Sequence, residues 1–370
     1  MYKVSVIIPV YNGEKYLADT INHILKCTIS DDIQLVVVND GSRDNSEKIC
    51  QELLACNPNI KYVYKENGGI VSARNKGLEL AEGKYICFCD QDDIVENNMY
   101  ELLYNEAERQ GAEFGFCSTG KYIDGKIEPF EVHADRVYVE SDIRDKIINP
   151  IAFNGTKLGN DNGERWICSI WKCIYNRQFL LDNNIKFRKF VNYEDDYLFF
   201  FDVASRAHKS FSMNFIGYYW RINNQSETYN WKYIDEFDAK YMLFLEDVLA
   251  MMKRIGFSEE DIRNYQMIEL CTMMKRLIYF EGSKFNHKSY AQRIANIKRV
   301  AKEHNYKEFL GYSKHIILSP RNKPVYFFMS KDMWNLAYIY NNFYEKIRIR
   351  LIKYKFWTGI SNWIYRKSKE

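Results

Sequence analysis

The chain of 370 residues lacks any run of about 18 apolar residues, so the sequence offers no ordinary transmembrane helix. It has little net charge. Lys and Arg number 52 against 49 Asp and Glu, and the resulting +3 points neither to a nucleic-acid protein nor to an acidic tail. Paired cysteines are missing too: nine Cys are scattered without a C-x-x-C spacing, and Cys50, Cys87 and Cys89 fall on apolar faces. That distribution predicts buried free thiols in a reducing, cytoplasmic setting and speaks against zinc. The six His residues lie far apart and form no ligand pair. The opening "MYKVSVIIPVYNG" has a single Lys and breaks at Pro9 and Gly13, so it reads as a first strand and not as a secretory signal.

What the first hundred residues do contain is alternation. "KVSVIIPV", "DIQLVVVND", "IKYVYKE" and "KYICFCD" read as strands. Between them run helical periods: "EKYLADTINHILKC", a helix from about Asp44 to Leu54, and "GIVSARNKGLELAEG" with Gly77 inside. This β–α alternation predicts an α/β fold, a mostly parallel sheet with helices on both faces. From about Gly111 to Asn149 the pattern becomes strand and hairpin, including the turn "YIDGK". "NYEDDYLFFFDVASRA" reads as a helix and "SFSMNFIGYYWR" as a strand ending in Arg221. After about Asn230 the composition shifts to Met, Tyr, Lys and Trp at helical spacing. The length therefore divides into a domain over 1–225 and a helical, aromatic and basic region over 226–370.

In such sheets ligands bind beyond the carboxyl ends of the strands, and there the polar signals gather. The first strand ends in Pro9-Val10-Tyr11-Asn12-Gly13, the second in Asn39-Asp40-Gly41-Ser42, and the fourth in Asp90, Asp92 and Asp93. Alone, Asp40-Gly41-Ser42 is equally a turn with a helix cap. Two carboxylates one residue apart can share a divalent cation, directly or through ribose and water. Magnesium and manganese take oxygen ligands, commonly one or two carboxylates with phosphate oxygens, and would offset the clustered charge. Asp92 or Asp93 could instead favour the N-terminus of a helix running into "ENNMYELLYNEA". Likewise Glu194-Asp195-Asp196 is compatible with no more than an acidic first helical turn.

Taken together, "VSVIIPVYNGEKYL", "VVNDGSRDNS", "NGGIVSARNKGLELAEGKYICFCDQDD", "IYNRQFLLDNNIKF" and "YEDDYLFF" resemble the family 2 glycosyltransferases of the GT-A fold, in family order and spacing. The resemblance covers roughly the first 225 residues and implies a nucleotide-binding half at about 1–110 and an acceptor half at 111–225. It implies that Tyr11 lies beside the nucleotide base in a pocket shaped by Pro9, Asn12 and Glu14. By the same likeness Asp40 hydrogen-bonds the base, usually uracil, Arg74 meets the nucleotide, and Asp90 lies by the ribose. Asp92, with Asp90, holds Mn2+ or Mg2+ on the diphosphate. Asp195 matches the catalytic base, Glu194 positions base or acceptor, and Arg221 faces the diphosphate.

The implied reaction is a single, inverting transfer from a UDP-sugar to a saccharide or lipid-linked acceptor in bacterial surface-polysaccharide synthesis. A sugar nucleotidyltransferase would want a Gly-rich, Arg- and Lys-bearing loop where Asn12-Gly13-Glu14 stands, and a catalytically lost scaffold would not need Asp92 and Asp195. Two departures stand out. Asn223 and Asn224 occupy a place where many members carry a His or a basic loop. "NGERW", at Asn162 to Trp166, begins with Asn and precedes the Glu-Asp pair, unlike the Gln-x-x-Arg-Trp of processive synthases.

The last stretch, "YEKIRIRLIKYKFWTGISNWIYRKSKE", is basic and interleaved with Trp357 and Trp363. It suits a helical layer packed on the rest of the protein, a dimer contact, or a peripheral helix on the inner membrane face.

Overall fold

The computed structural model describes residues 2–123, 125–154, 156–158, 168–191, 194–222, 233–317 and 322–353. The chain divides into two compact units. One comprises Met1–Asn154, Gly159–Ile222 and Ala250–Phe257; the other comprises Gly155–Leu158, Asn223–Leu249 and Ser258–Glu370.

In the first unit, β1 (Val4–Val10) and β2 (Ile33–Asn39) are buried at every position. Inner strands covered on both faces need apolar residues throughout rather than at alternate positions. They pair in parallel with each other, with β3 (Ile60–Tyr64) beyond β2 and β4 (Tyr85–Phe88) beyond β1. The connections are α1 (Leu17–Leu25), α2 (Ser46–Cys56) and α3 (Ile70–Leu80). There follow β5 (Ile94–Val95), α4 (Met99–Gln110), β6 (Phe114–Ile123), β7 (Lys126–Glu131), β8 (Arg136–Val139), α5 (Ser141–Ile143) and α6 (Asn149–Ala152). The unit continues with β9 (Cys173–Asn176), α7 (Arg177–Asp182), α8 (Asp195–Ala204) and β10 (Lys209–Arg221).

All ten strands form one sheet in the order β3-β2-β1-β4-β9-β6-β10-β5, with β7 on β6 and β8 on β10. The expected parallel arrangement holds from β3 to β4 and for β6 with β10. Beyond β4 the sheet is mixed, because β9 runs antiparallel between β4 and β6, and β5, β7 and β8 are antiparallel to their partners. Cys50, Cys87 and Cys89 are buried free thiols, as their spacing on apolar faces predicts.

Three local features position the strand ends. A Cβ on Gly77 would stand 2.2 Å from Ile7 Cγ2, so α3 lies directly on β1 and a helix-weakening glycine is accepted for close packing. Arg74, one turn earlier on the same face, is thereby carried to the carboxyl edge of the sheet. Pro9 can sit in β1 because β4 pairs only with Val4–Ile7, which leaves no ladder bond for a ninth-residue N–H to make on that side. Finally, α4 begins at Met99 after Asn98, and Ile94–Val95 form a strand against Tyr218 and Tyr219. Neither Asp92 nor Asp93 therefore caps a helix, and that reading of the cluster falls.

The second unit is helical, with α10 (Glu259–Glu281), α11 (Tyr290–Glu303), α12 (Tyr306–Leu310), α13 (Lys323–Ser330) and α14 (Trp334–Lys353). The helix α9 (Phe237–Arg254) has its first turns here and its last in the first unit. Ser258 caps α10 by accepting from the Asp261 N–H, and Ser289 with Gln292 forms a capping box at α11. Among the described residues, the only β pairing in this unit is an isolated bridge between Thr156 and Ile316. No described helix is long and apolar enough to cross a membrane. The "NGERW" segment, Asn223, Asn224, Trp357 and Trp363 lie outside the described residues.

Candidate active site

Side chains tie the ends of β1 and β2 together. Asn12 adopts a left-handed conformation, φ 52°, which Asn tolerates better than most residues. Its Oδ1 accepts the Arg43 N–H at 2.8 Å, and its own N–H donates to Ser42 Oγ at 3.0 Å. The Gly13 N–H donates to Ser46 Oγ at 2.8 Å and the Glu14 N–H to Asp44 Oδ2 at 3.0 Å. Glu14 Oε2 in turn accepts from the backbone and side-chain nitrogens of Asn45, at 3.0 and 2.8 Å. The stretch after Asp40 is thus more than a turn with a cap: Asn45 makes no side-chain cap on α2, and the polar groups hold the Tyr11 loop.

The Tyr11 ring is open to solvent at 44 % exposure. Its backbone is clamped by the Gln91 amide, which accepts from the Tyr11 N–H at 2.9 Å and donates to its carbonyl at 3.1 Å. Asp40 is buried, and its carboxylate accepts from the Gly68 and Gly69 N–H groups at 3.0 and 2.8 Å and from Lys65 Nζ at 2.5 Å.

The acid loop after β4 is strapped by the end of β10. Buried Asp93 accepts from the Tyr218 hydroxyl at 2.7 Å and the Arg221 N–H at 2.8 Å, while the Asp90 N–H donates to the Tyr218 oxygen at 3.1 Å. The Tyr218 ring is itself stacked on Trp171 at 4.3 Å. Burial first, then the neighbouring charges of Asp92 and Asp90, push the Asp93 carboxyl well above the ordinary range. Arg221 donates through Nε to the Asp92 carbonyl at 2.8 Å and through Nη2 to Asp19 at 2.5 Å. Its guanidinium also lies over the rings of Tyr16 and Tyr122. Asp93 is absorbed into this strap, and Asp90, whose side chain is 37 % exposed, and half-buried Asp92 stand beside it at the strand end.

Arg74 joins that end to α8. Its guanidinium is only 6 % exposed; Nη1 meets Asp195 Oδ2 and Asp196 Oδ1, each at 2.5 Å, and Nη2 meets Asp90 Oδ1 at 3.4 Å. Burial opposes its charge, but Asp196, Asp195 and Asp90 together outweigh that and raise its pKa. Burial pushes Asp196 up to about 7; Arg74 pulls the other way and Asp195 adds to the rise. Glu194 is buried at the start of α8, where its carbonyl accepts the Leu198 N–H at 2.9 Å.

The structure therefore gathers Tyr11, Asn12, Glu14, Asp40, Asp90 and Asp92 at neighbouring strand ends and brings Asp195 to Asp90 through one arginine. Arg74 is enclosed by three carboxylates, and Arg221 is engaged by Asp19, two rings and the acid loop. The sequence reading missed Lys65 on Asp40, Gln91 on Tyr11, and the link from Tyr218 to Asp93. All three lie inside motifs already quoted or beside them, but their partners are 25, 80 and 125 residues away.

Among the described residues no group of three or more His, Cys, Asp or Glu could by itself hold a metal ion. The carboxylates of Asp90 and Asp92 are hard oxygen donors, the type that Mg2+ and Mn2+ take together with phosphate oxygens.

The mixed sheet of the first unit, with its edge of acids, has the GT-A class of glycosyltransferase fold. Over 93 % of this chain, and 92 % of the other, it superposes on S. aureus TarS 1–349 in complex with UDP-GlcNAc, with a TM-score of 0.62 at 18 % identity. Residues 5–181 match the family model Glycosyl transferase family 2. EpsJ of Bacillus subtilis, an uncharacterized glycosyltransferase, is 29 % identical over 227 residues, 61 % of this chain and 62 % of EpsJ. The glycosyltransferase GlyG of Streptococcus pneumoniae is 40 % identical over 111 residues, 30 % of this chain and 36 % of GlyG. The match thus spans less than two thirds of either relative.

Proposed function

We propose that the protein is an inverting, single-addition glycosyltransferase. It would move a sugar from a UDP-sugar to a hydroxyl of a saccharide or lipid-linked saccharide in polysaccharide synthesis. The observation that carries this reading is the Arg74 clasp. One buried guanidinium reaches both Asp195 and Asp90, which supports an acceptor-side base standing beside a donor-side acid. The fold shared with a UDP-GlcNAc-bound protein supports the donor class.

In this reading Tyr11 lies along the base, Pro9, Asn12 and Glu14 shape its pocket, and Asp40 receives its polar edge. Asp90 takes the ribose. Asp92, with Asp90, would hold Mn2+ or Mg2+, which when bound offsets negative charge on the leaving diphosphate. The acceptor oxygen bonds to the anomeric carbon on the face opposite the diphosphate as the carbon–oxygen bond to phosphate breaks, so the configuration inverts. The acceptor's proton passes to the Asp195 carboxylate, and UDP departs with the bonding pair. Arg74, beside the nucleotide, also keeps Asp195 oriented by an ion pair. Glu194, one residue earlier, sets the entry of the acceptor.

The test is release of UDP from a panel of UDP-sugars, with and without divalent cation. Wild-type protein is expected to require the cation, and Asp92→Asn to lose on the order of a thousandfold in rate. Full activity in excess chelator contradicts the assignment of Asp92.

A further inference from the structure

Among its described side chains, the helix α14 packs one side and leaves an apolar side open. Trp334, Ala337 and Asn341 are buried along one side. On the opposite side Leu336, Ile339, Phe343 and Ile347 recur at helical spacing and stay 43, 52, 65 and 39 % exposed. Phe327, on α13, is exposed to 57 % as well. Four large apolar side chains in one row, about 16 Å long at helical rise, are more than scattered surface residues. The sequence adds charge to the same end: Glu345 to Glu370 carry eight Lys and Arg against two Glu, a net +6 in a chain whose total is +3.

We propose that this outer face of α14 lies in the headgroup layer of an anionic membrane. An apolar row beside a cationic segment is the pattern that such a surface takes up, since the row enters the acyl boundary while lysines and arginines meet the lipid phosphates. A second copy of the chain suits the face less well. Pairing two such faces would bring two +6 segments together, whereas an anionic bilayer neutralises them. The inference is independent of the active-site reading, because α14 contributes no residue to it and UDP release is not the readout.

The test is co-sedimentation of the full chain with vesicles of phosphatidylglycerol or of phosphatidylcholine, at low and high salt. Binding is expected to phosphatidylglycerol, to weaken with salt, and to be slight on phosphatidylcholine. The double variant Ile339→Ser/Phe343→Ser is expected to lose about tenfold or more in vesicle affinity with an unchanged melting curve, because both side chains are exposed. Should that variant fold poorly, Lys346→Glu, at an exposed position of α14, is expected to weaken binding as well. Unchanged binding by these variants overturns the proposal. So does a wild-type dimer that Phe343→Ser dissolves, which assigns the face to a second copy. A wild-type chain that ignores phosphatidylglycerol, while a chain ending at Lys353 binds it, overturns it too by showing residues 354–370 to cover the face.

Discussion

Arg74 is buried with Asp195, Asp196 and Asp90 around it, and removing its charge would leave buried carboxylates without their partner. Lysine at this position keeps the charge but not the planar fork that spans Asp195, Asp196 and Asp90. Arg74→Lys is expected to lower the turnover rate on the order of a hundredfold while changing KM for the donor only a few-fold, since the base acts on the acceptor. Steady-state kinetics at saturating acceptor check this; a raised KM at unchanged turnover would confine Arg74 to the nucleotide site. Asp196 carries a pH signature of its own. Its folded pKa, raised to about 7, means that the native state holds a proton the unfolded chain has released. The resulting stability is complete below pH about 4 and is lost as pH rises through about 7. With 26 % of the side chain open to water, the loss is on the order of 2 kcal/mol. Urea unfolding across this window is expected to show that slope in the wild type and a flatter one in Asp196→Asn. Sequence could nominate Asp195 from its motif, but it could not show that Arg74 holds it, because the two are 121 residues apart.

At the scale of elements, Gly77 is where α3 packs closely on β1. Gly77→Ala gains helix propensity of up to about 1 kcal/mol but forces a methyl into Ile7, so a net loss of about 1–2 kcal/mol is expected in denaturant unfolding. The sequence pattern made β1 to β4 and α1 to α3 legible, because buried parallel strands are continuous apolar runs between turn residues. It did not disclose β9, four residues long inside an aromatic and basic stretch, nor β5, a strand of two residues. Elements that short carry no period of their own and owe their conformation to β6 and β10 alongside them. The direction of β9 was equally hidden, and with it the switch from a parallel to a mixed sheet. Asp93 shows the same limit at a site: next to two acids it resembles a cap, and only Tyr218 and Arg221, brought in by β10, make it a strap.

For the whole molecule, the family resemblance rested on five segments in the first unit; the family-model match over residues 5–181 reaches into four of them and ends before "YEDDYLFF". The helical unit carried no such motif; its composition predicted helices, and its open apolar face became visible only once the packed side of α14 was known. The central claim is a division of labour within the first unit. In the proposed function Asp40, Asp90 and Asp92 serve the nucleotide, and Asp195 serves the acceptor. Calorimetric titration of UDP into Asp195→Asn beside the wild type, with divalent cation present, tests it most directly. The account predicts dissociation constants within about twofold of one another. A loss of affinity beyond about tenfold in the variant, or no UDP binding by the wild type, would contradict it.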